Sequence, residues 1–256
     1  MPATLSYDQY GEGIGNAWAV LRDNAARAGL DAAVPTCPGW TVRHLVAHQG
    51  MVHRWAAGAL RGARDDDACA EIEREGLDSP DILSWLDEGA KDLLSALAFA
   101  PEDLDVKFWL RDAPDARVGW ARRQCHETTI HAVDAMAAAF GRPPAVDETW
   151  ISPALGADGV DELLLGFLPR RKKLDFDGPR TVAVSATDTS QSWTLWTGDG
   201  PVRAEAGKQN AYDSAVTEVT GTAGELYLGL WNRGELPVND PGFASMWQRL
   251  VQVLWA

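Results

Sequence analysis

Apolar residues recur along the first half of the chain at the 3.6-residue interval of an amphipathic helix. Ile14, Ala17, Trp18 and Leu21 set this spacing within Tyr7 to Ala28, and Gly29 closes the stretch. Pro35 and the pair Pro38-Gly39 mark a turn. Thr41 then offers an N-cap hydroxyl to a second helix reaching about Leu60. Asp65-Asp66-Asp67 interrupts the pattern, and Ser79-Pro80-Asp81 opens a helix with Ile82, Leu83, Leu86, Leu93, Leu94 and Leu97 as its stripe. A further helix runs from about Gly119 to Phe140, stopped by Gly141 and Pro143-Pro144. Four helices of this length, joined by loops, predict an antiparallel four-helix bundle. Asp147 to Leu168 reads as one more helical stretch, a connector.

After Pro169 the period shortens. Arg180 to Ala186, Ser192 to Trp196 and Asp213 to Thr220 alternate polar with β-forming residues. Gly221-Thr222 caps a helix through Leu226 and Leu230 to Trp231, and a last helix is expected over Phe243 to Trp255. Strands followed by helices predict a small α+β domain. The expected architecture is therefore multidomain, α and α+β: a helical domain over residues 1–169 and an α+β domain over 170–256.

Composition narrows the function. The 256 residues suffice for two such domains, and 46% hydrophobic with 23% charged residues is globular rather than disordered. Against 23 basic side chains stand 37 acidic ones, a net charge of -14, which repels phosphate backbones and argues against a nucleic-acid partner. The cluster Arg170-Arg171-Lys172-Lys173 sits beside Asp175 and Asp177 and reads as a solvated loop. No apolar run approaches the ~20 residues that span a bilayer, and Met1 to Tyr10 lacks the order of a signal peptide. With an odd count of three cysteines, the expectation is a cytoplasmic protein without a membrane partner. Cys37, Cys69 and Cys125 read as packing or surface residues, and the twelve tryptophans imply bulky packing.

The chemistry lies in the histidines. All five, His44, His48, His53, His126 and His131, precede residue 132. Glu127 and His131 are four residues apart and so share a helix face with Trp120, Arg123 and Asp134. Alone, that pair fits an exposed ion pair as well as a ligand pair. A metal between helices would need a third donor, and His44 and His48 share one face of the second helix, so spacing leaves both open. Asp134 either orients a ligand or faces solvent.

The segment Val34-Pro35-Thr36-Cys37-Pro38-Gly39-Trp40-Thr41-Val42-Arg43-His44-Leu45-Val46-Ala47-His48 resembles the opening signature of the mycothiol-dependent maleylpyruvate isomerase family. His126-Glu127-Thr128-Thr129-Ile130-His131-Ala132-Val133-Asp134-Ala135 is similar to its second signature. Val219-Thr220-Gly221-Thr222-Ala223-Gly224-Glu225-Leu226, followed by Leu230-Trp231-Asn232-Arg233, is similar to a third. The resemblance implies a DinB-like four-helix bundle followed by a small sterol-carrier-like domain. It implies His48, Glu127 and His131 as ligands of a divalent metal, zinc by default, with nickel, iron or manganese also accepting these donors. It also implies mycothiol as thiol cofactor, an electrophilic small-molecule substrate, and Arg233 as a catalytic and cofactor-binding residue holding a carboxylate. After His48 the chain reads Gln49-Gly50-Met51-Val52-His53-Arg54-Trp55 and departs from the isomerase's own pattern, which points toward a thiol transferase beside an isomerase. The competing expectation is a metal-stabilised carrier with Trp193, Trp196 and Trp231 lining an apolar cavity, favoured if a fourth protein ligand such as His44 closes the site. A metallohydrolase would use the same ligands but finds no clear general base.

Overall fold

The computed structural model describes residues 5–110, 115–171, 174–198, 200–207 and 216–253. Lys172, Lys173, the expected strand start Asp213 to Ala215 and the expected helix end Leu254 to Trp255 lie outside the described residues. The chain divides into two compact units, the first within residues 6–144 and the second from Ala145 onward.

The first unit is built on four long helices. α1 (Tyr7–Ala28) starts from a capping box: Ser6 Oγ accepts from Gln9 N–H at 3.2 Å, and Gln9 Oε1 accepts from Ser6 N–H at 2.8 Å. Its buried residues, Tyr10, Ile14, Ala17, Leu21 and Ala25, follow the helical period. α2 (Val42–Leu60) follows the turn at Gly39, whose φ of 89° suits glycine. Then comes a short helix that periodicity did not indicate, α3 (Cys69–Asp78), with Gly76 as its one buried residue. α4 (Ile82–Phe99) starts at Asp81, whose carboxylate caps Ser84 N–H. α5 (Ala116–Phe140) ends at Gly141 in the left-handed region, φ 70°. α1 packs along α5, and α2 packs against α4, α3 and α5.

α5 is not an ordinary bundle helix. Every residue from Gly119 to Ala137 is buried, charged ones included. Such a helix has no solvent face, so its polar side chains must be satisfied inside the protein.

The second unit opens with a 3-10 turn and α6 (Pro153–Asp161), which continues as a π-helical segment over Glu162–Phe167. The sheet contains β1 (Arg180–Ala186), β2 (Ser192–Thr197), β3 (Arg203–Ala206) and β4 (Val216–Gly221) in the order β3-β2-β1-β4. β1 pairs antiparallel with β2 and parallel with β4. Thr222 caps α7 (Ala223–Leu230) through a capping box with Glu225, and α8 (Pro241–Leu250) follows Asp240. β3 is an exposed edge strand without apolar alternation, hence silent in the sequence.

The division at Pro144/Ala145 differs from the expected boundary at 169/170. α6 packs on α7: Gly156 lies against the Ala223 backbone, and Gly159 lies under the Tyr227 ring. Trp231 Nε1 donates to Gly159 O at 3.0 Å, and Trp193 Nε1 donates to Asp161 Oδ1 at 2.9 Å. Helical periodicity announces α6 but not the partner it buries against, so the connector is a layer of the second unit. Trp193 and Trp231 are buried in this packing. Among the described residues, no helix is long and apolar enough to cross a membrane.

Candidate metal centre

Three side chains from two helices meet inside the first unit. His48, on α2, is 4% exposed; Glu127 and His131, one turn apart on α5, are 8% and 7% exposed. Glu127 Oε1 lies 3.3 Å from His131 Nε2 and 3.7 Å from His48 Nε2, and all three donor atoms fall within 4.8 Å of one another. Donors about 2.1 Å from a tetrahedral ion stand about 3.4 Å apart, so the cluster has the spacing that a single zinc-sized ion requires. The second carboxylate oxygen faces away: Glu127 Oε2 accepts from Arg123 Nη2 at 2.9 Å, leaving Oε1 toward the imidazoles.

The surroundings fix each ring. His131 Nδ1 lies 2.9 Å from Asp134 Oδ2, so its Nε2 points to the cluster. His48 Nδ1 faces Glu73 Oε1 at 3.5 Å. Trp40, from the turn before α2, lies over both imidazoles, with ring centroids 5.0 Å from His48 and 6.1 Å from His131. Trp40 is only half-buried, so it forms a wall of the site rather than core.

The electrostatics follow. Burial acts to raise the Glu127 carboxyl, but hydrogen bonds from His131 and His48 and the Arg123 charge outweigh it and hold it well below the usual carboxylate range. Burial acts to lower His131, yet its hydrogen bonds to Asp134 and Glu127 raise it to about 9. A divalent cation bound here would displace the His131 proton, since a ligating imidazole is neutral, while Glu127 is already held as the carboxylate.

The geometry separates the candidates that spacing left open. His44 is exposed, and its Nδ1 accepts from Thr41 N–H at 3.2 Å, at the start of α2. His53 and His126 are fully buried elsewhere on α2 and α5; His53 Nε2 pairs with Thr128 Oγ1 at 3.0 Å. Asp134 is fully buried beside His131 rather than solvent-facing. Among the described residues, the metal-compatible group of His48, Glu127 and His131 has three members and no fourth protein ligand. Cys37 was read as packing, yet its Sγ reaches Asp134 Oδ2 at 3.2 Å, directly behind a candidate ligand. Glu73 lies on α3, a ten-residue helix that buries only Gly76. Arg233 belongs to the second unit, just beyond α7, where Nη1 donates to Trp231 O at 2.9 Å.

Comparison with known proteins gives two family matches in chain order. Residues 12–136 match the mycothiol maleylpyruvate isomerase N-terminal domain, and residues 154–249 match the MDMPI C-terminal domain, named for the same isomerase. Among solved structures, the chain is similar to a mycothiol-dependent maleylpyruvate isomerase, with TM-score 0.60 and 15% identity over 93% of this chain and 95% of that one. A histidine-to-alanine mutant of a mycothiol-dependent maleylpyruvate isomerase aligns with TM-score 0.63 and 14% identity over the same shares. A comparison with curated proteins finds no match.

Proposed function

Because the chain belongs to the mycothiol maleylpyruvate isomerase family, we propose that it is a divalent-metal enzyme using mycothiol as nucleophile or cofactor, of the isomerase or thiol S-transferase type. The observation that carries this reading is the buried convergence of His48, Glu127 and His131 without a fourth protein ligand among the described residues. Two imidazoles and one carboxylate leave coordination positions open, as catalytic rather than structural sites do. A divalent ion there, zinc by default, would favour thiolate over thiol near neutral pH and so supply a nucleophile.

The chain's own groups do the rest. Arg123 holds Glu127 to one oxygen, Asp134 holds the His131 ring, and Trp40 closes one side against water. Arg233 is our candidate for the carboxylate of thiol or substrate, because a planar guanidinium pairs with carboxylate through two parallel hydrogen bonds. The substrate would be a small electrophile. The stretch Gln49 to Trp55, which departs from the isomerase pattern, is buried except for Arg54 and serves packing, so it leaves both reaction types open. A cytoplasmic site of action agrees with three cysteines that form no disulfide.

The carrier reading is less favoured, because His44 stands outside the cluster and two of its three tryptophans, Trp193 and Trp231, are buried and bonded to Asp161 and Gly159. The test is thiol-dependent turnover. Protein purified with metal retained is assayed on a panel of electrophiles, maleylpyruvate included, with mycothiol and other thiols. In cobalt-substituted protein, the correct thiol should produce a sulfur-to-cobalt charge-transfer band. Neither band nor turnover with any physiological thiol would defeat the proposal.

A further inference from the structure

The turn before α2 meets α5 behind the candidate ligand His131. Thr36 Oγ1 donates to Asp134 Oδ1 at 2.5 Å, Cys37 Sγ donates to Asp134 Oδ2 at 3.2 Å, and His131 Nδ1 meets the same Oδ2 at 2.9 Å. Asp134 is fully buried, so these bonds form in a low-dielectric interior where each is stronger and harder to replace with water. The Thr36 distance is that of a hydroxyl bonded to a charged carboxylate. We propose that Thr36 and Cys37 are positioning residues for the metal centre: through Asp134 they fix the ring orientation and tautomer of His131, keeping the hydrogen on Nδ1 and the Nε2 lone pair toward the ion.

This inference rests on the metal reading of the site. Two features give it direction. The Thr36 hydroxyl on Oδ1 and the Cys37 thiol on Oδ2 hold the carboxylate from both ends, which restrains it from rotating away from the imidazole. His48 is backed differently: its Nδ1 faces Glu73 at 3.5 Å, a carboxylate whose side chain is 35% exposed. The His131 side is thus the rigid half of the centre, and the segment Thr36–Trp40 serves it twice, by bracing its ligand and by stacking Trp40 on its ring. The thiol, a weak donor, contributes less than the hydroxyl.

Full-length Thr36→Val keeps the side-chain shape and removes one donor. Zinc affinity measured by competition with a chromophoric chelator should fall several-fold, less than the about 10- to 100-fold that losing Asp134, the direct partner of the metal-bound histidine, would cost. Thr36→Ser should restore it, and Cys37→Ala should cost less than Thr36→Val. The visible spectrum of the cobalt form should shift in Thr36→Val and return in Thr36→Ser, a change that general loosening of the turn would not reverse. Asp134→Asn should lose the full about 10- to 100-fold, and should it fail to fold, Thr36→Val carries the test alone. Wild-type affinity and spectrum in Thr36→Val would overturn the proposal. A wild-type protein that takes up no divalent ion would overturn the metal reading beneath it, and this inference with it.

Discussion

His53 and His131 are both buried imidazoles on packed helices, yet their surroundings drive them in opposite directions. His131 is raised to about 9 because two carboxylates overcome burial, whereas His53 is lowered to about 3 by burial first and by the Arg54 charge second. A depressed folded-state value means that the unfolded chain takes up a proton the folded chain refuses. The stability from a neutral His53 is therefore present above the unfolded value near 6.5 and is lost as pH falls toward 3. Chemical denaturation of the wild type should weaken by about 1.4 kcal/mol per pH unit more steeply over pH 6 to 4 than that of His53→Gln. Equal slopes in the two proteins would remove His53 as the cause. At the centre itself, His48→Ala, Glu127→Ala and His131→Ala should each lose most of the bound ion by elemental analysis, while His44→Ala keeps it. Glu127 and His131 were legible as one helix face, and His48 through the family signature. Glu73, Cys37 and the brace on Asp134 were not, because their proximity depends on how three segments pack.

The elements that the sequence announced share a buried apolar period. α1 begins and ends where Ile14, Ala17 and Leu21 and the closing Gly29 place it, and Thr41 stands at the start of α2. α3 shows the converse. It buries only Gly76 and packs mainly on α2, with α4 also against it. Trp85 of α4 fills the space left by two glycines, Gly50 on α2 and Gly76 on α3; a Cβ at Gly76 would stand 2.7 Å from the ring, and one at Gly50 would lie closer still. Arg54 covers the same ring at 3.8 Å and donates to the Trp85 and Gly50 carbonyls. Gly50→Ala should therefore overpack this junction and destabilise the protein by about 1–3 kcal/mol, read as a lower midpoint in thermal or urea unfolding. A midpoint at or above wild type would show that the helices part without strain. Because α3 carries Glu73, the same variant should also weaken zinc binding at His48, but less than Thr36→Val does at His131.

For the whole molecule, the expectation of helical and α+β parts agrees with the two units, while their division point moved. Residues 147–168 read as helical by period, and the packing of Gly156 on Ala223 and of Gly159 under Tyr227, with the bonds from Trp193 and Trp231, puts α6 in the second unit. A fragment of residues 1–144 should then be the better-behaved metal-binding piece. A fragment of residues 1–170 keeps α6 and the π-helical segment after it, with buried Leu155, Val160 and Leu163, without α7 to cover them, and should aggregate more readily. Both fragments lack Arg233, whose proposed task is to hold an anionic group of thiol or substrate. If that role is right, residues 1–144 bind about one divalent ion by elemental analysis but show little thiol-dependent turnover. In the full chain, Arg233→Ala should keep its ion and lose about 10- to 100-fold in turnover, the cost of one charge-assisted contact. Arg233→Lys should recover only part, since a point charge does not reproduce two parallel hydrogen bonds. The fragment and the Arg233→Ala protein separate the possibilities. Full turnover from residues 1–144 would take the second unit out of the chemistry, while a silent fragment beside a fully active Arg233→Ala would assign the second unit a role and deny it to this arginine.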